Sequence, residues 1–525
     1  MRFTAYRASL TAALALSVVF IVLVQAPGLR AGIDTNEELE LPRVFQGLTG
    51  LGLQGQLADT KCTFEALTAH SFLPQDDALY DHVSLLTSTL YFRIFKVDLS
   101  KACPFWGGTA ATCTRPDCSV LVCDPEQIPA CWRGGSRSAQ KRSTPNMGIY
   151  PHDSAEAALG RVERPTGSQA LPPFFAPYAL EDESAWTAPD SDELSEYVDL
   201  TLNPEGFTGY QGQHIWDAVY RENCFRPQLC SRGATESSDA ADLIGLGSVS
   251  TSTPVRPAAC REERVFYRCV SGIHASINVH IARRYLFGRN RWGHHTRIYR
   301  ERLRKHPERI ENLYFVYALV LRALNKAAPS LSHRSDYLTG NETEDARTRH
   351  LVEQVLWNPL IRGPVSGCTT TFAEHEMFRG CCANCLVQFR AHFRNISKIM
   401  DCVGCEKCRL WGKLQFLGLG TAFKILFAEP SYTARTNRSD LDLTRNEVVA
   451  LINLLKNLCL SIRSIHEMEW IIGQEAHRQR LWLCLVAAVL CGLGSILIRY
   501  LAGDILSYRG QIRRNATERR LKRNC

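Results

Sequence analysis

Three cysteines recur at a strict three-residue spacing in DCVGCEKCRLWGKLQ, Asp401 to Gln415: Cys402, Cys405 and Cys408. Such a set can ligate a metal, staple the chain or carry electrons. A tetrahedral zinc site wants four ligands, usually in two separated pairs, so this triplet would need a fourth from elsewhere. A Cys-x-x-Cys pair suits redox exchange, because the nearby partner resolves a mixed disulfide quickly. Lys407 and Arg409 flank Cys408 and would favour a thiolate electrostatically. The motif by itself leaves passive staple and electron carrier open.

A second group lies upstream. CPFWGGTAATCTRPDCSVLVCDPEQIPAC holds Cys103, Cys113, Cys118, Cys123 and Cys131. Cys113 and Cys118 enclose TRPD, and Pro116-Asp117 is turn chemistry that can bring two Cα atoms within bonding distance. So small a loop stabilises little by chain entropy. In a Gly/Ser/Thr-rich segment it reads better as a mobile exchange group than as a staple. One mobile pair and one embedded pair suggest an electron relay.

The elements around these pairs begin with two apolar ends. Arg2 and Arg7 precede an apolar run from Ala8 to Val24 and then small residues, so residues 1–31 read as a signal peptide or signal anchor. Leu481–Ile498 is uncharged over 18 residues, enough to span a bilayer, and 481–502 is taken as a transmembrane helix. Residues 503–525 hold seven Lys/Arg against Asp504 and Glu518, so +5 of the formal +8 sits in the tail. The body is only mildly basic and gives no reason to propose nucleic acid. The positive-inside rule puts that tail in the cytosol and residues 32–480 in the lumen. Of 21 cysteines, 18 then face an oxidising compartment, where disulfides are the default and a zinc site is disfavoured. Asn341, Asn395 and Asn437 are acceptor sequons in the same body.

Segments 133–173 and 231–259 are Gly/Ser/Pro-rich and read as mobile inserts in one large domain. The remainder is helical by pattern. Phe266, Val270, Ile273 and Ile277 form one apolar face; Leu313, Tyr317, Val320 and Leu324 another; Phe389, Phe393, Ile396 and Met400 a third. Thr444 with Glu447 fits a capping box opening a fourth helix that runs to about Ile472. The best strand candidate is Leu90–Leu99.

A dithiol relay needs a terminal acceptor, which calls for a cofactor. No Gly-x-Gly-x-x-Gly follows a strand, so a Rossmann site is unsupported. Tyr267, Ser271, His274 and Asn278 make a polar stripe beside the first apolar face, and Arg302 and Arg309 follow in a basic stretch suited to a pyrophosphate.

CVGCEKCRLWGKLQ followed by GLGTAFKILF, CPFW followed by Cys-x4-Cys, NPE-x-FTGY and SGIHASINVH together resemble the endoplasmic reticulum oxidoreductins, Ero-type flavin thiol oxidases that reoxidise protein disulfide isomerase. The likeness runs with gaps from about Asp59 to Ile472. It implies a mainly α, disulfide-stapled fold with few short strands and a helix-bundle core holding FAD. It implies Cys405 and Cys408 as the active-site pair, with Cys408 next to the flavin and Cys405 taking exchange from outside. Cys113 and Cys118 fall on the shuttle pair that accepts electrons from the isomerase. Cys402 falls on the cysteine that pairs with Cys103, and Cys224 and Cys260 on a second structural pair; Cys123 falls on a cysteine that in animal members joins a regulatory disulfide with the shuttle, with Cys131 a candidate substitute for the distant regulatory partner. The FAD positions fall on Thr208, Trp216, Ser271, His274, Arg302 and Arg309, and oxygen is the implied acceptor, giving hydrogen peroxide.

Some residues depart from the pattern. Gly206 stands where animal members carry a flavin-contacting Arg, and three residues are missing between Thr208 and Trp216. Cys230, Cys269, Cys368, Cys381, Cys382 and Cys385 are additional and read as extra structural disulfides, while Cys62 alone remains of an N-terminal cluster. The C-terminal span makes this member integral to the endoplasmic reticulum membrane. The rival classes are a cysteine-rich membrane glycoprotein that only binds a partner, and a zinc module.

Overall fold

The computed structural model describes residues 75–105, 118–132, 185–205, 212–223, 261–287, 291–332, 337–363, 374, 385–428 and 441–521. The segment 1–31, both inserts, Cys62, Cys113, Gly206, Thr208, Cys224, Cys230, Cys260, Cys368, Cys381, Cys382 and Asn437 lie outside the described residues.

The fold is mainly helical with few short strands. In chain order it has α1 (Asp77–Leu86), α2 (Leu90–Arg93), β1 (Ile94–Val97), β2 (Glu196–Asp199), α3 (Gln213–Arg221) and α4 (Arg261–Arg283). A small hairpin, β3 (Tyr285–Leu286) and β4 (Trp292–Gly293), leads to α5 (Thr296–Tyr299), α6 (Pro307–Ser332), α7 (Glu342–Leu356) and α8 (Pro359–Arg362). The last helices are α9 (Cys385–Ile399), α10 (Glu406–Leu426) and α11 (Arg445–Leu521).

Local chemistry starts these helices where the sequence says it should. Asp76 caps α1 by accepting the Leu79 N–H at 2.9 Å. Asn341 caps α7 by accepting from Thr343 and Glu344. The capping box of α11 is reciprocal: Thr444 N–H donates to the Glu447 carboxylate at 2.8 Å, and Glu447 N–H donates to Thr444 Oγ1 at 3.2 Å.

Packing then goes beyond the single apolar faces. From Leu313 to Leu324 every side chain of α6 is buried, so this helix is the axis of the core rather than an amphipathic wall. Each fully buried Leu or Phe there is worth about 2 kcal/mol of apolar transfer. Helix α4 packs along α6, and α10 packs against α6 as well. Phe389, Phe393, Ile396 and Met400 are buried as their spacing requires, although the helix ends at Ile399 and Met400 opens a 3-10 turn to Cys402.

The strand expectation for Leu90–Leu99 needs correcting. Only Ile94–Val97 is extended, pairing antiparallel with Glu196–Asp199 (Ile94 opposite Asp199), while Leu90–Arg93 is one helical turn. The turn is closed by the Thr89 carbonyl, which accepts the N–H groups of Phe92 and Arg93 at 3.2 and 2.9 Å, and the Leu90 N–H is held by Glu344 at 3.0 Å.

Two compact units divide the chain. The larger is Leu41–His466 and contains the helices just described, including α11 up to His466. The smaller comprises Met1–Glu40 with Glu467–Cys525. Its described part is helical and contains an 18-residue window, none of it buried, that is long and apolar enough to cross a membrane. Leu481, Leu485, Val489, Leu493 and Ile496 are exposed along it.

Candidate functional site

The cysteine triplet straddles the entry to α10. Cys402, in the 3-10 turn, is joined to Cys103 by a disulfide across 299 residues. Cys405 is the N-cap of α10: its Sγ accepts the Cys408 N–H at 3.3 Å, as a Ser or Asp oxygen would at that position. The sulfur thus sits where the unpaired N–H groups of a helix start favour negative charge. Cys405 is fully buried, whereas Cys408 retains partial exposure. The Arg409 guanidinium is occupied by the carbonyls of Val403 and Leu99, at 2.8 and 2.6 Å, so it braces the turn as well as carrying charge.

Beneath the turn lies a buried charge cluster. Lys413 Nζ donates to Asp190 at 2.7 Å, to Asp401 at 2.8 Å and to the Asp98 carbonyl at 2.9 Å. Asp401 is 1% exposed, and burial raises its pKa against the lowering pull of Lys413 and Lys101. The cluster ties the segments on both sides of the Cys103–Cys402 bond to α10.

Cys118 is disulfide-bonded and 2% exposed; Cys113 lies outside the described residues. The stem that follows Cys118 is laid on the same turn. Val120 N–H donates to Glu406 Oε2 at 3.1 Å, and Leu121 and Asn203 exchange two hydrogen bonds of 2.8 and 2.9 Å. The Asn203 carbonyl accepts Trp411 Nε1–H from α10 at 2.8 Å. The stem's far end is clamped by Trp132, whose ring lies 3.7 Å under the Arg445 guanidinium and whose indole N–H donates to the Leu338 carbonyl.

The regulatory candidates both lie in this stem and both carry free thiols. Burial, followed by nearby Asp199, pushes the Cys123 thiol up to about 11, so it stays protonated, while Cys131 is exposed. The expected extra disulfide at Cys269 is not there. Its thiol is free and buried inside α4, with its pKa pushed up by burial. Cys459 in α11 is likewise free and buried, its thiol pushed up to about 12. Buried cysteines can serve as small apolar residues, so the even cysteine count does not translate into pairing throughout.

The polar stripe of α4 gathers the other site residues. The Trp216 indole of α3 stacks on His274, centroids 3.9 Å apart and planes 17° apart. Burial, then the charges of Arg309 and Arg302, push His274 down to about 3, so its ring is neutral at physiological pH. Tyr220, whose pKa burial raises, shares a 3.0 Å hydrogen bond with His274 Nδ1. Ser271 is fully buried and receives Asn312 Nδ2 at 3.0 Å. Arg302 donates to Asn278 Oδ1 at 3.0 Å, and Arg309 to the Arg302 carbonyl at 2.8 Å. Trp216, Ser271, His274, Arg302 and Arg309 therefore line one region of α3, α4 and the start of α6.

A network that sequence reasoning passed over joins this region to α10. Glu205 pairs with His280 of α4 on one side and accepts Gln415 Nε2 of α10 at 3.1 Å on the other. His280 Nε2 continues to the Asn457 carbonyl and Ser461 of α11. The signal was present in NPE and in the Gln closing CRLWGKLQ, both read only as family marks. The glycosylation candidates are placed unequally: Asn341 is exposed, whereas Asn395, within α9, donates Nδ2 to buried Glu222 at 3.1 Å.

A Cys-x-x-Cys at the start of a helix, inside a disulfide-stapled helical body, has the geometry for thiol–disulfide exchange. Comparison narrows the class. Residues 78–465 match the family Endoplasmic Reticulum Oxidoreductin 1. Endoplasmic reticulum oxidoreductin-1 of Arabidopsis thaliana is 36% identical over 427 residues, covering 79% of this chain and 80% of that protein. ERO1-like protein alpha of Rattus norvegicus is 34% identical over 478 residues, covering 85% and 95%. A solved structure of an S. cerevisiae Ero1p cysteine mutant aligns at 26% identity and TM-score 0.48, over 79% of this chain and 99% of that one. The chain belongs to the endoplasmic reticulum oxidoreductin 1 family.

Proposed function

We propose that this oxidoreductase is an FAD-dependent thiol oxidase that reoxidises protein disulfide isomerase. The observation that carries the reading is the stem of Cys118 laid on the capped Cys405–Cys408 turn. A reduced isomerase passes two electrons and two protons to the Cys113–Cys118 disulfide. The reduced pair then exchanges with Cys405–Cys408. Because Cys405 is fully buried, its exchange partner has to be intramolecular, which a large external isomerase cannot be.

The residues present fit FAD. Neutral His274 and the Trp216 indole offer planar faces, and buried Ser271 a hydroxyl. The two guanidiniums each commit one N–H group to the protein contacts described, leaving donors for a pyrophosphate. When bound, FAD would supply the two-electron acceptor for the Cys405–Cys408 dithiol, with oxygen as terminal acceptor and hydrogen peroxide as product. Thr208 is the further expected contact. Cys224–Cys260 serves as a second staple, and Cys123 and Cys131 as regulatory cysteines for the shuttle. The apolar helix anchors the protein in the endoplasmic reticulum membrane with the catalytic unit luminal, and Asn341, Asn395 and Asn437 are its glycan acceptors. Asn395 would have to be modified before α9 packs.

The test is oxygen uptake on reduced isomerase. Cys408→Ala should abolish it. Cys113→Ala with Cys118→Ala should stop turnover with the isomerase while leaving oxidation of small dithiols. Full activity of the double variant on the isomerase would defeat the relay.

A further inference from the structure

We propose that Glu406 is a positioning residue: a latch that holds the stem of the Cys113–Cys118 pair against the Cys405–Cys408 turn. The proposal rests on the relay reading and adds to it the group that sets how often the two pairs meet.

Glu406 lies between the two active-site cysteines in the first turn of α10, and its Oε2 receives the Val120 N–H at 3.1 Å, two residues beyond Cys118. The next residue, Leu121, is held by Asn203 through both its N–H and its carbonyl, and Asn203 is itself tied to Trp411. On the stem side all three of these bonds use main-chain atoms. Their dependence on side chains therefore falls on Glu406 and Asn203. The clamp around Trp132 is built from α11, β2 and the Leu338 carbonyl, without α10. Releasing Glu406 thus removes, of these ties, the one nearest Cys118, and leaves Leu121 on Asn203 and Trp132 in its clamp.

The exchange that the latch favours is balanced within the chain. A thiolate of the reduced shuttle attacks Sγ of Cys405 and Cys408 leaves as a thiolate. The second shuttle thiol then closes Cys113–Cys118 and releases Cys405. Two electrons and two protons move to the Cys405–Cys408 pair, and one S–S bond is exchanged for another.

A glutamate in a first helical turn also stabilises the helix through its charge, and the test must separate that effect from latching. The readout is the ratio of oxygen uptake on reduced isomerase to that on a small dithiol, using the full-length protein. A hydrogen bond to a charged acceptor is worth about a tenfold change in the docked population. Glu406→Ala should lower the ratio about tenfold. Glu406→Gln, which keeps an acceptor oxygen and loses the charge, should hold it within about twofold. Glu406→Ser, too short to reach Val120, repeats the alanine experiment with a polar side chain of lower helix propensity. An unchanged ratio in the alanine and serine variants would overturn the latch, as would an equal loss with glutamine. The Cys113→Ala, Cys118→Ala variant is measured alongside. If it still turns over the isomerase, the relay itself fails. If it is dead while Glu406→Ala is unaffected, only the latch fails.

Discussion

Gly272 is a point at which the site's geometry depends on close helix contact. It sits in α4 between Ser271 and His274, where that helix touches α6. A Cβ at this position would meet the Asn312 carbonyl oxygen at 2.3 Å and Val316 Cγ2 at 2.6 Å. Ordinary contact begins near 3.4 Å, so the two helices must separate by roughly 1 Å. The obstructing atom is backbone and cannot rotate away. Overpacking of this kind costs about 1–3 kcal/mol, against which alanine recovers at most about 1 kcal/mol of helix propensity. Gly272→Ala should therefore destabilise by about 1–2 kcal/mol and lower the melting temperature by a few degrees. Its second effect is local: moving α4 away from Asn312 pulls Ser271 off its 3.0 Å partner and shifts His274. The purified variant should carry less flavin. Gly473→Ala, with nothing within 4 Å of the added carbon, is the control and should be neutral or slightly stabilising. Circular dichroism melts and flavin absorbance per chain are the assays. A Gly272→Ala protein that melts with wild type and is fully flavinated would refute the close-approach argument.

Two further outcomes follow from the same structure. Cys402→Ser opens a loop of 299 residues and should cost about 3–5 kcal/mol, seen as a lower guanidinium midpoint; an unchanged midpoint would show that the bond constrains little. His274 is held neutral by burial, its pKa lowered from 6.5 to about 3. Its contribution is therefore complete above about pH 6.5 and is lost as pH falls toward 3, by up to about 1.4 kcal/mol per unit. Between pH 7 and 5, urea titrations should show wild type losing about 2 kcal/mol more than His274→Gln. Equal losses would mean that the imidazole charges freely in the folded chain.

What could be read from the sequence was whatever short-range physics controls. Periodicities around Phe266, Leu313 and Phe389 placed three helices, and Thr444 with Glu447 placed the start of a fourth, because each depends on neighbours within a few turns. The Leu90–Leu99 reading held only for Ile94–Val97, because tertiary contact overrides β propensity at its start, where the Leu90 N–H is held by Glu344. Cys269 and Cys459 misled through parity, since counting cannot distinguish a thiol used as a small apolar group from one awaiting a partner. The ties from Glu205 to His280 and Gln415, and from Glu406 to Val120, join residues 75 to 286 positions apart. Single-sequence patterns carry no information about such pairs until the fold brings them together.

The span of the Cys103–Cys402 bond also constrains how the protein is made. Its first sulfur emerges from the ribosome 299 residues before its second. At ordinary synthesis rates that interval is about 15–60 s. Throughout it Cys103 shares a growing chain with Cys113, Cys118, Cys123 and Cys131, all nearer neighbours in sequence and all able to capture it. The native staple is thus a late, long-range bond that must win over early local ones, and nascent chains have to be protected or corrected until residue 402 arrives. An oxidoreductase of this architecture is in its own biogenesis a demanding client of thiol–disulfide reshuffling.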